Sequence, residues 1–254
     1  MSHSSNGIPT KEGKLILPRR RVLQGVGGLI ATAAFPAKRA SVLALPRSQA
    51  APAKPAADIT GKVARYMVEA GRLTLPPAVA REAKHRILDT LGAMVSGARM
   101  KPGEMAIRFV RGQGGVPEAC VITTDIMTSA INAALVHGMF GHADETDDFE
   151  PVTKAHPGCS VVPAALAMAE REGRSGIELL RAVTLGYDLC CRFLMALGPD
   201  LVRATHRSAE GTSATFGAVA AAASIARLDE LGMRYALSYA AQQVSGIWSW
   251  VRDA

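Results

Sequence analysis

The sequence predicts a mostly α-helical fold, and three observations carry that expectation. Apolar residues recur at three- and four-residue steps through most of the chain after Asp58. Helix start and stop signals, among them Pro76-Pro77, Ser175-Gly176-Ile177-Glu178 and Gly198-Pro199, punctuate the pattern. A single convincing strand candidate, Ala119–Thr123, interrupts it. With 254 residues, 48% hydrophobic and 20% charged, the chain can bury a large core; collagen-like, disordered and disulfide-stapled classes are excluded.

In chain order, helices are expected over Asp58–Gly71 and Pro77–Gly97, with Val79, Ala83, Ile87, Leu91 and Met94 on one face of the second. A shorter helix covers Glu104–Arg111. After the strand, Asp125 is placed to cap a helix running from Ile126 to about His142, and an acidic loop leads to the break at Pro157-Gly158. Val161–Glu172 is the next helix. Ser175 and Glu178 form a capping box for a helix that ends at Gly198-Pro199. A Gly/Ala-rich helix over Gly211–Leu228 has so little side-chain bulk that its neighbours must approach closely, which puts it at the centre. Asp229 caps a last helix to about Gly246. No repeat period is visible, which argues against a solenoid.

The net charge of +7 is a property of the leader: residues 1–60 hold nine Lys/Arg against two acids, and the remaining 194 residues balance at 20 of each. The folded part therefore carries no basic bias toward nucleic acid. The leader has the order of an export signal, a polar stretch ending in Arg19-Arg20-Arg21, an apolar run Val22–Phe35, then small residues around Val42-Leu43-Ala44. Arg19-Arg20-Arg21-Val22-Leu23-Gln24 resembles the twin-arginine (Tat) pattern, with Val for Phe and Gln for Lys. The run is about 14 residues, short of the ~20 needed to span a bilayer, so no membrane anchor is expected. Periplasmic or secreted localisation follows; the alternative is a disordered extension on a cytoplasmic protein. Gln49–Ala57 reads as a Pro/Ala linker, giving a leader and linker over 1–57 and a folded region over 58–254. Cys120, Cys159, Cys190 and Cys191 show no metal spacing and read as small core residues, with no pairing selected.

Chemistry-bearing residues concentrate between positions 137 and 156. Three of the six histidines, His137, His142 and His156, fall there with Asp144, Glu145, Asp147, Asp148 and Glu150. Closely spaced carboxylates push one another's pKa values apart, which creates acid and base candidates; the bland alternative is a solvated acidic turn. His137 suits a capping or buried hydrogen-bonded role, and His85 a structural one within an amphipathic helix. His142, Asp147, Asp148 and His156 are also metal-ligand types, but no HExxH-like pair fixes two of them on one helix face.

The run from His137 through His142 to Asp147-Asp148, followed by Ala155-His156-Pro157-Gly158 and by Val161 through Pro163 to Glu170, resembles the signature of the MmgE/PrpD family. Gly186-Tyr187-Asp188, Arg192, His206, Phe216-Gly217-Ala218 and Leu228-Asp229 extend the likeness over about residues 58–254. The resemblance implies an all-α, multi-helical domain, preceded here by a disordered leader. It implies a dimer and a lyase or isomerase acting on a small polycarboxylate by dehydration, decarboxylation or epimerisation, without metal or other cofactor. It marks His156, His206, Asp147, Asp148, Glu145 and His142 as the catalytic candidates. His137 stands where the family has Asn, Phe149 where a small hydroxyl residue follows the paired acids, and His206 lies two residues farther from Phe216-Gly217 than in the family. Family enzymes are longer, and the likeness implies a chain that stops before a lysine-bearing segment and a lid, with weak turnover by itself. The alternative is a non-catalytic helical domain serving as a dimerisation or binding module.

Overall fold

The computed structural model describes residues 57–247, so the export-signal reading of the leader and the Trp248/Trp250 end lie outside the described residues. Helix α1 spans Ile59–Ala70, its N-terminus capped by Asp58 accepting from Gly61 N. Helix α2 spans Pro77–Gly97, as expected, with Pro77 at its first position, where no amide hydrogen is needed. Helix α3 spans Lys101–Gln113, longer at both ends than expected because Pro102 fits its first turn.

The next segment corrects the sequence reading. The strand is Ala119–Cys120 (β1), and it pairs antiparallel with Met127–Thr128 (β2). Asp125 therefore caps nothing, and its exposed carboxylate lies 3.5 Å from Arg111. Ser129 accepts from Asn132 N and starts helix α4 at Ala130–Gly141. A hairpin wins because Thr123 takes a positive φ of 65° and Thr124 Oγ1 ties Ile126 N to Val121 O, turning the chain back onto β1.

Helix α5 spans Gly158–Glu172, one turn earlier than expected. Helix α6, Gly176–Leu197, carries both hydrogen bonds of the expected capping box. A short helix α7, Pro199–Ala204, follows. The Gly/Ala-rich segment opens as a π-helical turn, Glu210–Ala214, before helix α8 at Thr215–Ile225, and Asp229 caps helix α9 at Glu230–Gln243.

Helix α8 lies between two apolar clusters. Ala221 and Ile225 join Phe140, Val161, Val162 and Met94 on one side; Ala220 and Ala223 join Met67, Leu185, Leu189 and Met233 on the other. The expected close approach is real: a Cβ on Gly217 would sit 2.7 Å from Gly186 O, and one on Gly186 would sit 2.9 Å from Gly217 O. The α6 and α8 backbones thus touch, which only glycine at both positions permits. No helix among the described residues is long and apolar enough to cross a membrane.

Of the cysteines, Cys159 and Cys190 are buried as expected, whereas Cys120 and Cys191 are only partly so, and none is bonded to another. Cys120 is not an inert filler, since its Sγ donates to Glu170 Oε1 at 3.1 Å.

Candidate functional site

The C-terminal end of α4, the loop 142–157 and the first turn of α5 form the site. Glu150 shapes the loop: its carboxylate accepts from Thr153 N at 2.6 Å and from Val152 N at 3.1 Å, while Glu150 N donates to Ala155 O. Ala155 is clamped in an apolar cluster with Cys190, Leu194 and Ala214. These contacts set His156 on a fixed base.

Asp147 is the centre. Its side chain is fully buried, and both oxygens lie 3.1 Å from His142 Nδ1. His156 Nδ1 is 3.3 Å from Asp147 Oδ2, an ion-pair distance without the alignment of a hydrogen bond. The two rings meet edge-on with centroids 5.6 Å apart. Burial alone would raise the Asp147 pKa, but the hydrogen bonding to His142 and the nearby His156 ring overcome it and hold the carboxyl below its ordinary value. His142 is correspondingly pushed up to about 11, chiefly by Asp147 with help from Cys159, and His156 is raised by the same carboxylate. At neutral pH the group is an anion beside a protonated His142, with the His156 ring drawn toward its protonated form by the same charge.

Asp148, next in sequence, does something different. Its Oδ1 accepts from Gly158 N at 2.8 Å and its Oδ2 from the Tyr187 hydroxyl at 2.7 Å. Burial raises its pKa, partly offset by those bonds. A Cβ on Gly158 would lie 2.6 Å from both Asp148 Oδ1 and Thr90 Oγ1, so glycine is required where α5 begins. Asp148 ties the first turn of α5, two residues after His156, to α6. The expected splitting of the two acids is present: the histidines lower Asp147, whereas burial, with a smaller contribution from the Asp147 charge, raises Asp148.

The other candidates spread outward. Glu145, exposed and at a φ of 56°, has Oε1 3.6 Å from His142 Nε2. His206 is exposed at a φ of 55° after α7, and among the described residues its side chain makes no hydrogen bond or ion pair with the Asp147 group. Phe149 is exposed, its ring 5.5 Å from His156, with Lys154 Nζ 5.2 Å above it. His137 is fully buried and accepts from Ile122 N at 3.1 Å, the expected hydrogen-bonded role. His85 lies on the surface of α2, with Nδ1 3.7 Å from Glu82.

Sequence reasoning passed over Cys159, Tyr187 and Thr90 as working parts of the site; the Pro157-Gly158 break was the available signal for the first. Ligand atoms of His142, Asp147 and Cys159 lie within 4.8 Å of one another, the arrangement among the described residues best suited to a metal. Asp147 keeps His142 protonated and burial keeps Cys159 a thiol, so in this charge state the trio is a hydrogen-bonded cluster. The site faces an open hollow of about 760 Å³ lined by His142, Glu145, Cys159 and Glu210 on its polar side and by Leu135 and Met139 on its apolar side.

Comparison with known proteins agrees with this architecture. A cis-aconitate decarboxylase-like protein of Aspergillus oryzae is 26% identical over 183 residues, covering 68% of this chain and 37% of that protein. The cis-aconitate decarboxylase of Aspergillus terreus is 27% identical over 211 residues, covering 79% of this chain and 42% of the enzyme. The chain thus spans about two fifths of the length of the curated relatives it matches. Since the family model of the MmgE/PrpD N-terminal domain matches residues 61–254, the helical bundle and its Asp-His loop belong to the MmgE/PrpD family.

Proposed function

We propose that the chain supplies the acid/base half of a lyase-type site for a small polycarboxylate. The buried Asp147 between His142 and His156 carries this reading. A carboxylate held between two imidazoles raises both ring pKa values, which favours the protonated form of each: His142 as a fixed cation and His156 as the proton donor. In the proposed step the substrate's carbon–carboxylate bond breaks and CO2 leaves; the electron pair remaining on carbon takes the proton from His156 Nε2. In a dehydration the same proton goes to the departing hydroxide, while a base takes the proton from the adjacent carbon and that C–H electron pair forms the double bond. The His142 imidazolium pairs with a second substrate carboxylate. His206, facing solvent, is the candidate for the complementary base. The likeness to cis-aconitate decarboxylase supports this substrate class.

The test is a proton NMR assay of the purified chain with cis-aconitate and related di- and tricarboxylates. Turnover is expected to be weak, with substrate-dependent shifts of the His142 and His156 ring signals that vanish in Asp147→Asn. Ring signals unmoved by every substrate, without turnover, would refute the reading.

A second reading, a homodimer-forming module, draws on an exposed apolar row along α4, Ile131, Leu135 and Met139 at four-residue spacing. Sedimentation should show a dimer that Ile131→Asp disperses. For localisation we propose Tat-dependent export: Arg19-Arg20→Lys-Lys should hold an unprocessed precursor in the cytoplasm, and uncleaved wild type there would refute it.

A further inference from the structure

A second recess, away from the Asp-His loop, lies where the C-terminal ends of α1 and α8 meet the start of α6 and of α9. It encloses about 300 Å³ and is lined by three guanidiniums, Arg72, Arg181 and Arg227, against a single carboxylate, Glu178. Met67, Leu228 and Met233 supply apolar lining, the two methionines being fully buried.

Arginines at helix ends commonly serve the C-terminal carbonyls, so that role must be weighed first. Here the helix ends already have partners. Arg174 Nε donates to Ile225 O at the end of α8 at 2.9 Å, and at the end of α1 the amides of Gly71, Arg72 and Leu73 close onto Met67, Glu69 and Ala70 carbonyls. Arg227 pairs with Glu178 at 2.6 Å, and Glu178 is further engaged by the Ser175 capping box. That leaves Arg72 and Arg181 without a carboxylate among the described residues, and Arg181 Nε is buried with no hydrogen-bond partner. A buried guanidinium N–H is a strong donor, and such groups in folded proteins are matched to an acceptor.

We infer that this recess binds a small organic dianion, its charged group held by Arg181 and Arg72 and its compact apolar body set on Met67 and Met233. Three cations against one anion leave a charge of +2 for the ligand to balance. The planar forks suit phosphoryl and carboxylate oxygens alike, and the volume is at the small end of ligand pockets. This site is independent of the proposed lyase chemistry.

Calorimetric titration of the 254-residue chain at constant ionic strength, with phenyl phosphate, succinate and inorganic phosphate as probes, tests it. One-to-one saturable binding is expected for phenyl phosphate or succinate, the stronger of the two identifying the charged group, with inorganic phosphate weaker because it leaves the apolar lining empty. Arg181→Gln should weaken binding about tenfold or more, and Arg181→Lys should recover part of it. Arg72→Gln, on an exposed side chain that folding does not need, should weaken it several-fold, whereas His156→Ala should leave it unchanged. Absence of saturable binding by all three probes, binding indifferent to both arginine substitutions, or binding lost in His156→Ala would overturn the inference.

Discussion

Within and just beyond α4, two histidines meet opposite fates. His137, in the helix, is enclosed by apolar neighbours such as Phe140, and burial pushes its pKa down to about 4. His142, at the helix end, meets Asp147 from the following loop and is pushed up to about 11. One ring is a neutral acceptor that holds the Ile122 amide, and the other is a cation. The residue type is the same; what differs is whether a carboxylate was folded in beside it. Burial without a counter-charge yields a neutral ring, and a neighbouring carboxylate yields a charged one.

The contrast is broken most severely at Asp147. Asp147→Asn keeps the shape and removes the charge, so wherever the proposed lyase activity is measured kcat should fall roughly 10²–10⁴-fold, with His156→Ala in the same range and His137→Asn far less affected. Steady-state kinetics on the three variants checks this, and equal small effects would return the loop to an ordinary acidic turn.

A smaller effect is expected at the support. Tyr187→Phe removes the hydroxyl that donates to buried Asp148 and should cost about 1–3 kcal/mol in denaturant unfolding. It should lower activity through misplacement of His156 while leaving the His142 titration in place.

The two histidines also give stability opposite slopes with pH. His137 has a folded pKa below its unfolded value of 6.5, so its contribution is present above 6.5 and lost as pH falls toward about 4, at about 1.4 kcal/mol per pH unit. His142 has a folded pKa above 6.5, so its contribution is present below 6.5 and drains away as pH rises toward about 11. Thermal melts across pH should show the acid limb flattened in His137→Asn and the alkaline limb flattened in Asp147→Asn. Smallest of all, Ser175→Ala should cost about 1 kcal/mol through the lost cap of α6, with both histidine titrations unchanged by NMR.

Most of the helices were legible because their signals are local. Asp58, Ser175 and Asp229 each reach an amide three residues on, and Pro77–Gly97 carries its own periodicity and entry proline. The bareness of Gly217, Ala220 and Ala221 likewise announced a central helix, since a strip of small residues fills a core only if its neighbours come close. The stretch at 119–128 was misread because Asp125 looks like a cap within its own neighbourhood, while the pairing of Met127 with Cys120 is a contact between strands. For the site, the sequence by itself determined which side chains are near one another along the chain, from His137 to His156. Only the tertiary structure decided that Asp147 takes the histidines while Asp148 takes Tyr187, 39 positions away, and that Cys159 and Arg181 lie at recesses no motif marks. Hydrogen bonding and desolvation act through space, and two adjacent aspartates on a turning loop can face environments assembled from unrelated parts of the chain.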